Sequence, residues 1–417
     1  MIEIKLAQKI VYETLYNGKD YTKAVDEVFP GEFKQFQSSN ISVLLAKQAL
    51  KKYFLTENII NENNIKLTNN ERCFLFVILA NIFYSKVLSK NNCISYLKGE
   101  IPEEEFLKIE PILTKKESLE DLISFDKDSN FYFATKYNVP IWLVHMWRKQ
   151  YGNQIAEDFM KSSLTYNLQS YMVNTLKTST DALLQKYPDF KSPFEDMLLF
   201  SGTTRYQVTD SFKNDEYIDV KIGFKQLIDE IYDPYKEMLL YSGYDDDFAK
   251  AVMIKSNGKQ GINLVVPNLE SRPELLRFIR VNGLRNINLF EANDSIGLKA
   301  GVSYKQDLVV VFPKSTRFDI ASKYPDFLLH FDRDDLDGII EGEMNALELC
   351  SNNVDDGGTL VYVVNTLNTK ETTKMIAAFL EKHPEFDLDK DEQLLSSHPF
   401  ATTMYCAFLT RRSENND

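Results

Sequence analysis

The chain has 417 residues, which is too long for one ordinary hydrophobic core and predicts two or three domains. It is 44% hydrophobic and 26% charged, as is usual for globular proteins, and it shows no signal peptide and no bilayer-spanning segment, so we expect a cytoplasmic protein that binds no membrane. The net charge of −13 is uneven: residues 1–150 carry 20 Lys and Arg against 19 Asp and Glu, whereas residues 151–417 carry 28 against 42. The acidic part would repel RNA unless a local basic patch overrides the repulsion, and no DNA is expected as a partner.

Residues 1–128 predict an all-helical domain of five to seven helices. Apolar residues recur there at helical spacing in KLAQKIVYETLYNG, ISVLLAKQALKKYFL and ERCFLFVILANIFYSKVL. The first of these stretches ends on Gly18, a residue that commonly terminates helices.

Residues 129–210 predict a small α+β linker domain. VPIWLVHMWRKQYGNQIAEDFMKSSL is typical of two helices, with Pro140 at the start of the first. QSYMVNTLKTSTDALLQKY predicts a strand followed by a helix, and TTRYQVTDSF predicts an extended segment.

Residues 211–417 predict a Rossmann-like domain with a mostly parallel, doubly wound sheet. Short apolar strands alternate there with helical stretches, as in proteins of this fold class. The strand candidates are EMLLYS, INLVVP, INLFEA, DLVVVFP, TLVYVV and MYCAFLT. The helix candidates between them include DDFAKAVMIK, SRPELLRFIRVNG and TKETTKMIAAFLEKH.

The four cysteines and four histidines predict neither a disulfide framework nor a metal site. No two cysteines form a CxxC pair, and the histidines show no ligand spacing. The acidic run Asp245–Asp247 has two readings: it holds a metal ion, or it compensates the dipole of a helix that begins there. We favour the second reading and expect no metal.

Four stretches carry a resemblance to a known family. VPIWLVHMWRKQYG, YMVNTLKTS, VVVFPKSTRFDIASKYPD and DDGGTLVYVVNTLNTKE are similar to conserved stretches of the ribosomal-RNA 5-methylcytosine methyltransferases of the Sun (Fmu) family. The resemblance covers nearly the whole chain. It implies a NusB-like helical domain over 1–128, an RRM-like linker domain over 129–210, and a methyltransferase-fold domain over 211–417.

The resemblance also implies where the chemistry of the family would lie. The family adds a cysteine thiolate to carbon 6 of cytosine, which activates carbon 5 toward methylation. Here Asn365 stands at the position of that cysteine, and Lys314 stands at the position of a second cysteine that helps to release the product. Val311 replaces the aspartate that would hold the cytosine edge. We therefore expect no catalytic residue at these positions.

The cofactor positions differ from the family pattern as well. S-adenosylmethionine requires a glycine-rich turn after the first strand of the sheet and an acid after the second strand. The vestigial positions that align with these features are Gly243, Asp245, Asp246, Asp247 and Val266. Glu291 or Asp294 is a possible surviving acid after the third strand. No bound cofactor is expected, and S-adenosylmethionine enters only under the alternative below.

Two functions from different classes remain open. The first is a catalytically inactive relative that binds RNA, for example ribosomal RNA, or a protein partner. The second is an active methyltransferase with a rearranged site. Lys314, Arg317 and Lys323 are candidates for contacts to RNA phosphates, although we favour the reading that these cations form a solvated surface.

Overall fold

A computed structural model describes residues 1–30, 37–165, 168–201, 206–243, 246–267, 270–292, 305–395 and 403–413. The chain divides into two compact units. The helical unit comprises Met1–Tyr166 and Ile320–Asp332, and the sheet unit comprises Asn167–Asp319 and Arg333–Asp417. Among the described residues, no helix combines the length and apolar character that crossing a bilayer requires.

The N-terminal part of the helical unit consists of helices around one core. They are α1 (Ile2–Leu15), α2 (Tyr21–Val28), α3 (Gln37–Leu50), α4 (Tyr53–Glu62), α5 (Asn69–Ala80), α6 (Lys90–Glu100), α7 (Glu103–Lys115), α8 (Asn130–Tyr137) and α9 (Ile141–Thr165). Helix α5 supplies eight consecutive buried residues, Cys73 to Ala80, to the core. Its start is fixed by a capping box, in which Thr68 and Glu71 each accept a hydrogen bond from the other's backbone amide.

Helix α9 changes direction at Gly152. That residue has φ 79° and ψ 170°, a conformation that glycine adopts without a steric penalty and that interrupts the helical backbone. The prediction of two helices over this stretch is therefore confirmed, with Gly152 as the break between them.

A short segment from the C-terminal half completes the helical unit. Residues Ile320–Asp332 contain α15 (Phe327–His330). The buried Asp326 carboxylate accepts a hydrogen bond from the backbone amide of Tyr21, at 2.8 Å. His330 Nε2 lies 3.1 Å from the carbonyl oxygen of Thr14. These contacts connect the segment to α1 and α2.

The sheet unit begins with a small antiparallel sheet of strand order β2-β1-β3. Its elements are β1 (Leu168–Val173), α10 (Thr180–Lys186), β2 (Met197–Ser201), α11 (Asp210–Lys213) and β3 (Tyr217–Asp219). An aromatic cluster fills its core, with the rings of Phe190 and Tyr206 centred 4.2 Å apart. The division of the chain into three domains, with boundaries after residues 128 and 210, stays a prediction. The structure separates into two compact units instead of three.

One predicted extended stretch is helical instead. The part of TTRYQVTDSF that the structure describes forms the turns Tyr206–Val208 and Asp210–Lys213. Thr209 Oγ1 accepts a hydrogen bond from the backbone amide of Phe212, at 3.3 Å, and so caps the second turn.

The main sheet has seven strands in the order β6-β5-β4-β7-β8-β10-β9. The strands are β4 (Met238–Ser242), β5 (Ile262–Val266), β6 (Ile287–Glu291), β7 (Gln306–Phe312), β8 (Val354–Val364), β9 (Phe386–Leu394) and β10 (Met404–Arg411). Strands β6, β5, β4, β7 and β8 are parallel, and β10 runs antiparallel to β8 and β9.

Helices cover both faces of this sheet. They are α12 (Ile222–Ile231), α13 (Asp246–Ser256), α14 (Arg272–Val281), α16 (Asp335–Ser351) and α17 (Thr373–Lys382). One face packs on α12, α13 and α14, and the other packs on α16 and α17. The prediction of a helical N-terminal region followed by a Rossmann-like domain is confirmed by this arrangement.

Candidate functional site at the carboxyl ends of the central strands

The strand order places a topological switch point between β4 and β7. From β4 the chain proceeds to β5 and β6 on one side, and it then returns to β7 on the other side. Open α/β sheets bind their ligands at the carboxyl ends of the strands beside such a point. The residues that follow β4, β5, β6, β7 and β8 are therefore the candidates for a functional site.

Gly243, directly after β4, is in close contact with the segment after β7. Its backbone amide donates to the carbonyl oxygen of Phe312 at 2.7 Å. A Cβ atom on Gly243 would lie 3.0 Å from the backbone nitrogen of Lys314 and 3.1 Å from the Cα of Pro313. The missing side chain of Gly243 thus makes room for a neighbouring backbone of the same protein.

Lys314 and Asn365 lie at matching positions just after two neighbouring parallel strands, β7 and β8. Val311 in β7 pairs with Tyr362 in β8, and Lys314 and Asn365 each follow three residues later. Val311 is fully buried in the sheet, Lys314 is exposed, and Asn365 is 1% exposed. The register therefore places Lys314 and Asn365 at corresponding positions just after the two strands.

A buried carboxylate, Glu371, joins the segments after β7 and β8. The backbone amide of Thr316 donates to its Oε1 at 2.8 Å. Its Oε2 accepts hydrogen bonds from the hydroxyls of Thr316 and Thr366 and from the amide nitrogen of Asn368, at 2.8 to 2.9 Å. All four residues are at most 2% exposed. The two segments are consequently tied to each other through one side chain.

A second carboxylate, Glu343 of α16, is buried beside Glu371. Neither oxygen of Glu343 has good hydrogen-bonding geometry with a donor among the described residues, and the single proton of the Tyr362 hydroxyl goes to the backbone carbonyl of Glu371 at 3.0 Å. Burial and the charge of Glu371 raise the pKa of Glu343 well above 4.5. Burial also raises the pKa of Glu371, although its hydrogen bonds oppose the shift. Both carboxylates therefore hold a proton more readily than an exposed glutamate does, and Glu343 does so more than Glu371.

Two buried polar side chains near the ends of β7 and β8 lack hydrogen-bond partners within the described residues. They are Asn365, through both atoms of its amide, and Ser315, through its hydroxyl. Asn365 is 1% exposed and Ser315 is 5% exposed. An amide without partners in such an environment destabilises the protein by about 1–3 kcal/mol. A neutral amide also cannot replace a thiolate as the nucleophile.

None of the cysteines is suited to replace that nucleophile. Cys406, in β10, lies opposite Val363 of β8 and is the cysteine placed nearest to Asn365 along the sheet. It is 6% exposed, and burial raises its pKa to about 11. Because the thiolate is the reactive form, Cys406 is a poor nucleophile at neutral pH. Cys73, Cys93 and Cys350 are also buried.

Neither of the described residues at the ends of β5 and β6 is an unpaired carboxylate that could accept from the ribose hydroxyls of S-adenosylmethionine. Val266, where a carboxylate would accept from the ribose hydroxyls, is 1% exposed and packed in the core. Glu291, at the end of β6, forms an ion pair with Arg272 at 2.6 Å. Asp294 lies outside the described residues.

The acidic run begins α13. Asp246 and Asp247 lie in the first turn of that helix, where negative charge is stabilised by the helix dipole, and Asp247 lies 3.8 Å from Lys250 one turn later. Asp245 lies outside the described residues. Within the part of the chain that is described, no group of three or more potential metal ligands occurs.

The candidate RNA contacts belong to different units. Lys314 and Arg317 are in the sheet unit, and Lys323 is in the segment that completes the helical unit. Arg317 has φ 53°, a left-handed conformation that is uncommon for a residue other than glycine. Lys314 and Lys323 are exposed. Their role in RNA binding stays a prediction.

Two functional candidates, Glu343 and Glu371, were not predicted from the sequence. Glu371 belongs to the stretch that carries the family resemblance, but its buried hydrogen bonds come from Thr316, which is distant in sequence. Glu343 lies in the helical stretch GIIEGEMNALELC, where a glutamate is expected to face solvent. No signal in a single sequence distinguishes such a buried carboxylate from an exposed one.

Comparison with known proteins agrees with this fold. No protein-family model matches the chain. The protein named "Probable ribosomal RNA small subunit methyltransferase B" of Bacillus subtilis is 25% identical over 287 residues, which are 65% of this chain and 62% of that protein. The match thus spans less than two thirds of the length of the Bacillus protein. The resemblance to the Sun (Fmu) family is confirmed by this relative.

Solved structures share the fold at low sequence identity. The structure of PH0851 superposes with a TM-score of 0.73 at 16% identity and covers 98% of both chains. NSun6 from Pyrococcus horikoshii, solved with SFG, has a TM-score of 0.58 at 11% identity and covers 66% of this chain and 99% of its own. The first match extends the similarity to both the helical and the Rossmann-like parts.

Proposed function

We propose that this chain, a homologue of the Sun (Fmu) family of ribosomal-RNA methyltransferases, binds RNA or a protein partner without transferring a methyl group. The observation that carries the proposal is Asn365, an amide buried at the position of the family's attacking cysteine. An amide forms no covalent adduct with carbon 6 of cytosine, so carbon 5 is not activated.

The residues at the positions that would bind the cofactor support the same conclusion. Gly243 is packed against the backbone of Pro313 and Lys314, Val266 is a core residue, and Glu291 is neutralised by Arg272. The described residues thus offer no free carboxylate to a ribose at the ends of β5 and β6.

Isothermal titration calorimetry with S-adenosylmethionine, together with transfer of its labelled methyl group onto small-subunit ribosomal RNA, tests the proposal. We expect no binding up to millimolar concentration and no transfer. Micromolar binding together with labelled RNA would contradict the proposal and establish an active enzyme.

The alternative of an active methyltransferase is favoured by the name of the Bacillus relative and by the conserved fold. The double variant Asn365→Cys, Lys314→Cys restores both family cysteines. It therefore separates the loss of the nucleophile from the loss of cofactor binding. If the cofactor side is also lost, as proposed, this variant transfers no methyl group. Transfer by the variant alone would show that the cofactor pocket survives and that only the nucleophile is missing.

A further inference from the structure

Positive charge in the acidic C-terminal domain is concentrated in one part of the sheet unit. Residues 250–290 carry seven Lys and Arg against two Asp and Glu, whereas the rest of 211–417 carries sixteen against thirty-three. This region comprises most of α13, the strands β5 and β6, and α14 between them. A polyanion approaching the domain would therefore be repelled elsewhere and attracted to this edge of the sheet.

Four of the seven cations are neutralised within the protein. Lys250 lies 3.2 Å from Glu274, and Lys255 lies 2.6 Å from Asp229. Arg272 pairs with Glu291, and both terminal nitrogens of Arg277 lie 3.1 Å from the carboxylate oxygens of Asp215. These four cations are therefore at least partly neutralised before any ligand approaches.

The other three cations are exposed. Within the described chain, Lys259, Arg280 and Arg285 make no ion pair. They follow or end α13 and α14 at the amino ends of β5 and β6. Strand β5 has five residues, so its two ends lie about 13 Å apart, and the three cations are at the end opposite the candidate site.

Two turns hold Lys259 and Arg285 next to each other. The side-chain amide of Asn286 donates to the carbonyl oxygen of Gly258 at 2.7 Å. A Cβ atom on Gly258 would lie 3.5 Å from the Cβ of Arg285. Gly258 and Asn286 both have positive φ, which fixes the shape of the turns. Lys259 and Arg285 are therefore presented together before any ligand binds.

We infer that Lys259, Arg280 and Arg285 form a surface for the phosphates of RNA. This inference rests on the proposed function, since the Bacillus relative is named for ribosomal RNA. Contacts at this end of the sheet hold an RNA backbone away from Asn365, as suits a protein that binds RNA without modifying it. The opposing explanation is that these cations only compensate the dipoles of the preceding helices.

The test compares the full-length protein with the variant K259Q/R280Q/R285Q. Affinity for a fluorescein-labelled, mixed-sequence, single-stranded RNA is measured by anisotropy across a salt series. The variant K213Q/K236Q/K374Q is the matched control, because it removes three exposed cations of the same domain that make no ion pair within the described residues.

We expect the first variant to bind about tenfold more weakly and the slope of log affinity against log salt to fall by about 2. The control should change neither quantity by more than a small fraction of this. Equal losses in both variants would overturn the inference in favour of general electrostatics. Unchanged RNA affinity with lower thermal stability would overturn it in favour of dipole compensation.

Two further outcomes distinguish this inference from the proposed function. Absence of RNA binding by the unmodified protein would overturn the inference, while the proposal of a non-catalytic protein-binding factor would stand. Equal binding of poly-aspartate, with equal loss in the first variant, would overturn RNA as the partner in favour of an acidic protein segment. Methyl transfer is measured separately and tests the proposed function alone.

Discussion

A network of polar side chains around Glu371 is buried at the carboxyl ends of β7 and β8, whereas exposed cations lie at the amino ends of β5 and β6. Glu371 accepts four hydrogen bonds in the first region. Lys259 and Arg285 remain open to solvent in the second region. Around Glu371 the segments that follow β7 and β8 are thus part of the core, whereas the opposite end of the sheet carries accessible cations.

Of the substitutions proposed here, Glu371→Ala should lower the free energy of unfolding most. It removes the carboxylate that accepts the buried hydrogen bonds of Thr316, Thr366 and Asn368, and we expect the free energy of unfolding to fall by about 3 kcal/mol or more. Urea denaturation measures the change. Arg285→Gln at the opposite end is the control and should stay within about 0.5 kcal/mol. A similar loss in both variants would mean that the two ends do not differ.

Gly243→Ala tests whether the switch point is filled. The added Cβ atom would lie 3.0 Å from the Lys314 backbone nitrogen, and a backbone segment is difficult to displace, so we expect a loss of about 2 kcal/mol. Gly342→Ala in α16 is the control, because no atom lies within 4 Å of its added Cβ. That substitution should stabilise the helix by about 0.5–1 kcal/mol. If Gly243→Ala were neutral in thermal denaturation, the carboxyl ends would have free space.

Glu343→Gln tests whether a buried carboxylate at the carboxyl ends of the strands makes the stability of the protein depend on pH. The pKa of Glu343 is raised in the folded protein, so its contribution to stability is complete below 4.5 and is lost as pH rises toward the folded value. In that interval the unmodified protein should lose up to about 1.4 kcal/mol per pH unit relative to the variant. Unfolding measured from pH 5 to 8 checks this. Parallel pH profiles of the two proteins would show that Glu343 titrates normally.

Asn365→Leu should have the smallest effect, and it has the opposite sign. An apolar side chain of similar size removes the unpartnered amide, and we expect a gain of about 1 kcal/mol in the free energy of unfolding. Asn288→Leu on β6 is a control in which the amide is exposed and donates to Asn263 at 2.9 Å. A loss of stability at Asn365 would show that its amide has a partner in solution.

Much of the fold could be predicted from the alternation of apolar strands and helices. The strands β4 to β8 and β10 are apolar runs that a single sequence reveals. Strand β9, with the sequence FDLDKDEQL, was missed because it is an edge strand with mostly charged, exposed residues. It is held as a strand by its antiparallel hydrogen bonds to β10, which the composition of β9 does not indicate.

The candidate site could be predicted only in part. The resemblance placed Lys314 and Asn365 on neighbouring segments, because backbone register follows from the fold. The bonds of Glu371 to Thr316 depend on packing between segments far apart in the chain, and no local pattern encodes them. The same reason explains why the sequence did not assign residues 320–332 to the helical unit.

That assignment has a consequence for how the protein is synthesised. The ribosome releases the N-terminal helices long before it reaches Asp326, whose carboxylate caps the backbone amide of Tyr21. During translation this hydrogen bond can therefore form only after most of the chain has emerged. An expression fragment that stops at Tyr166 would lack it.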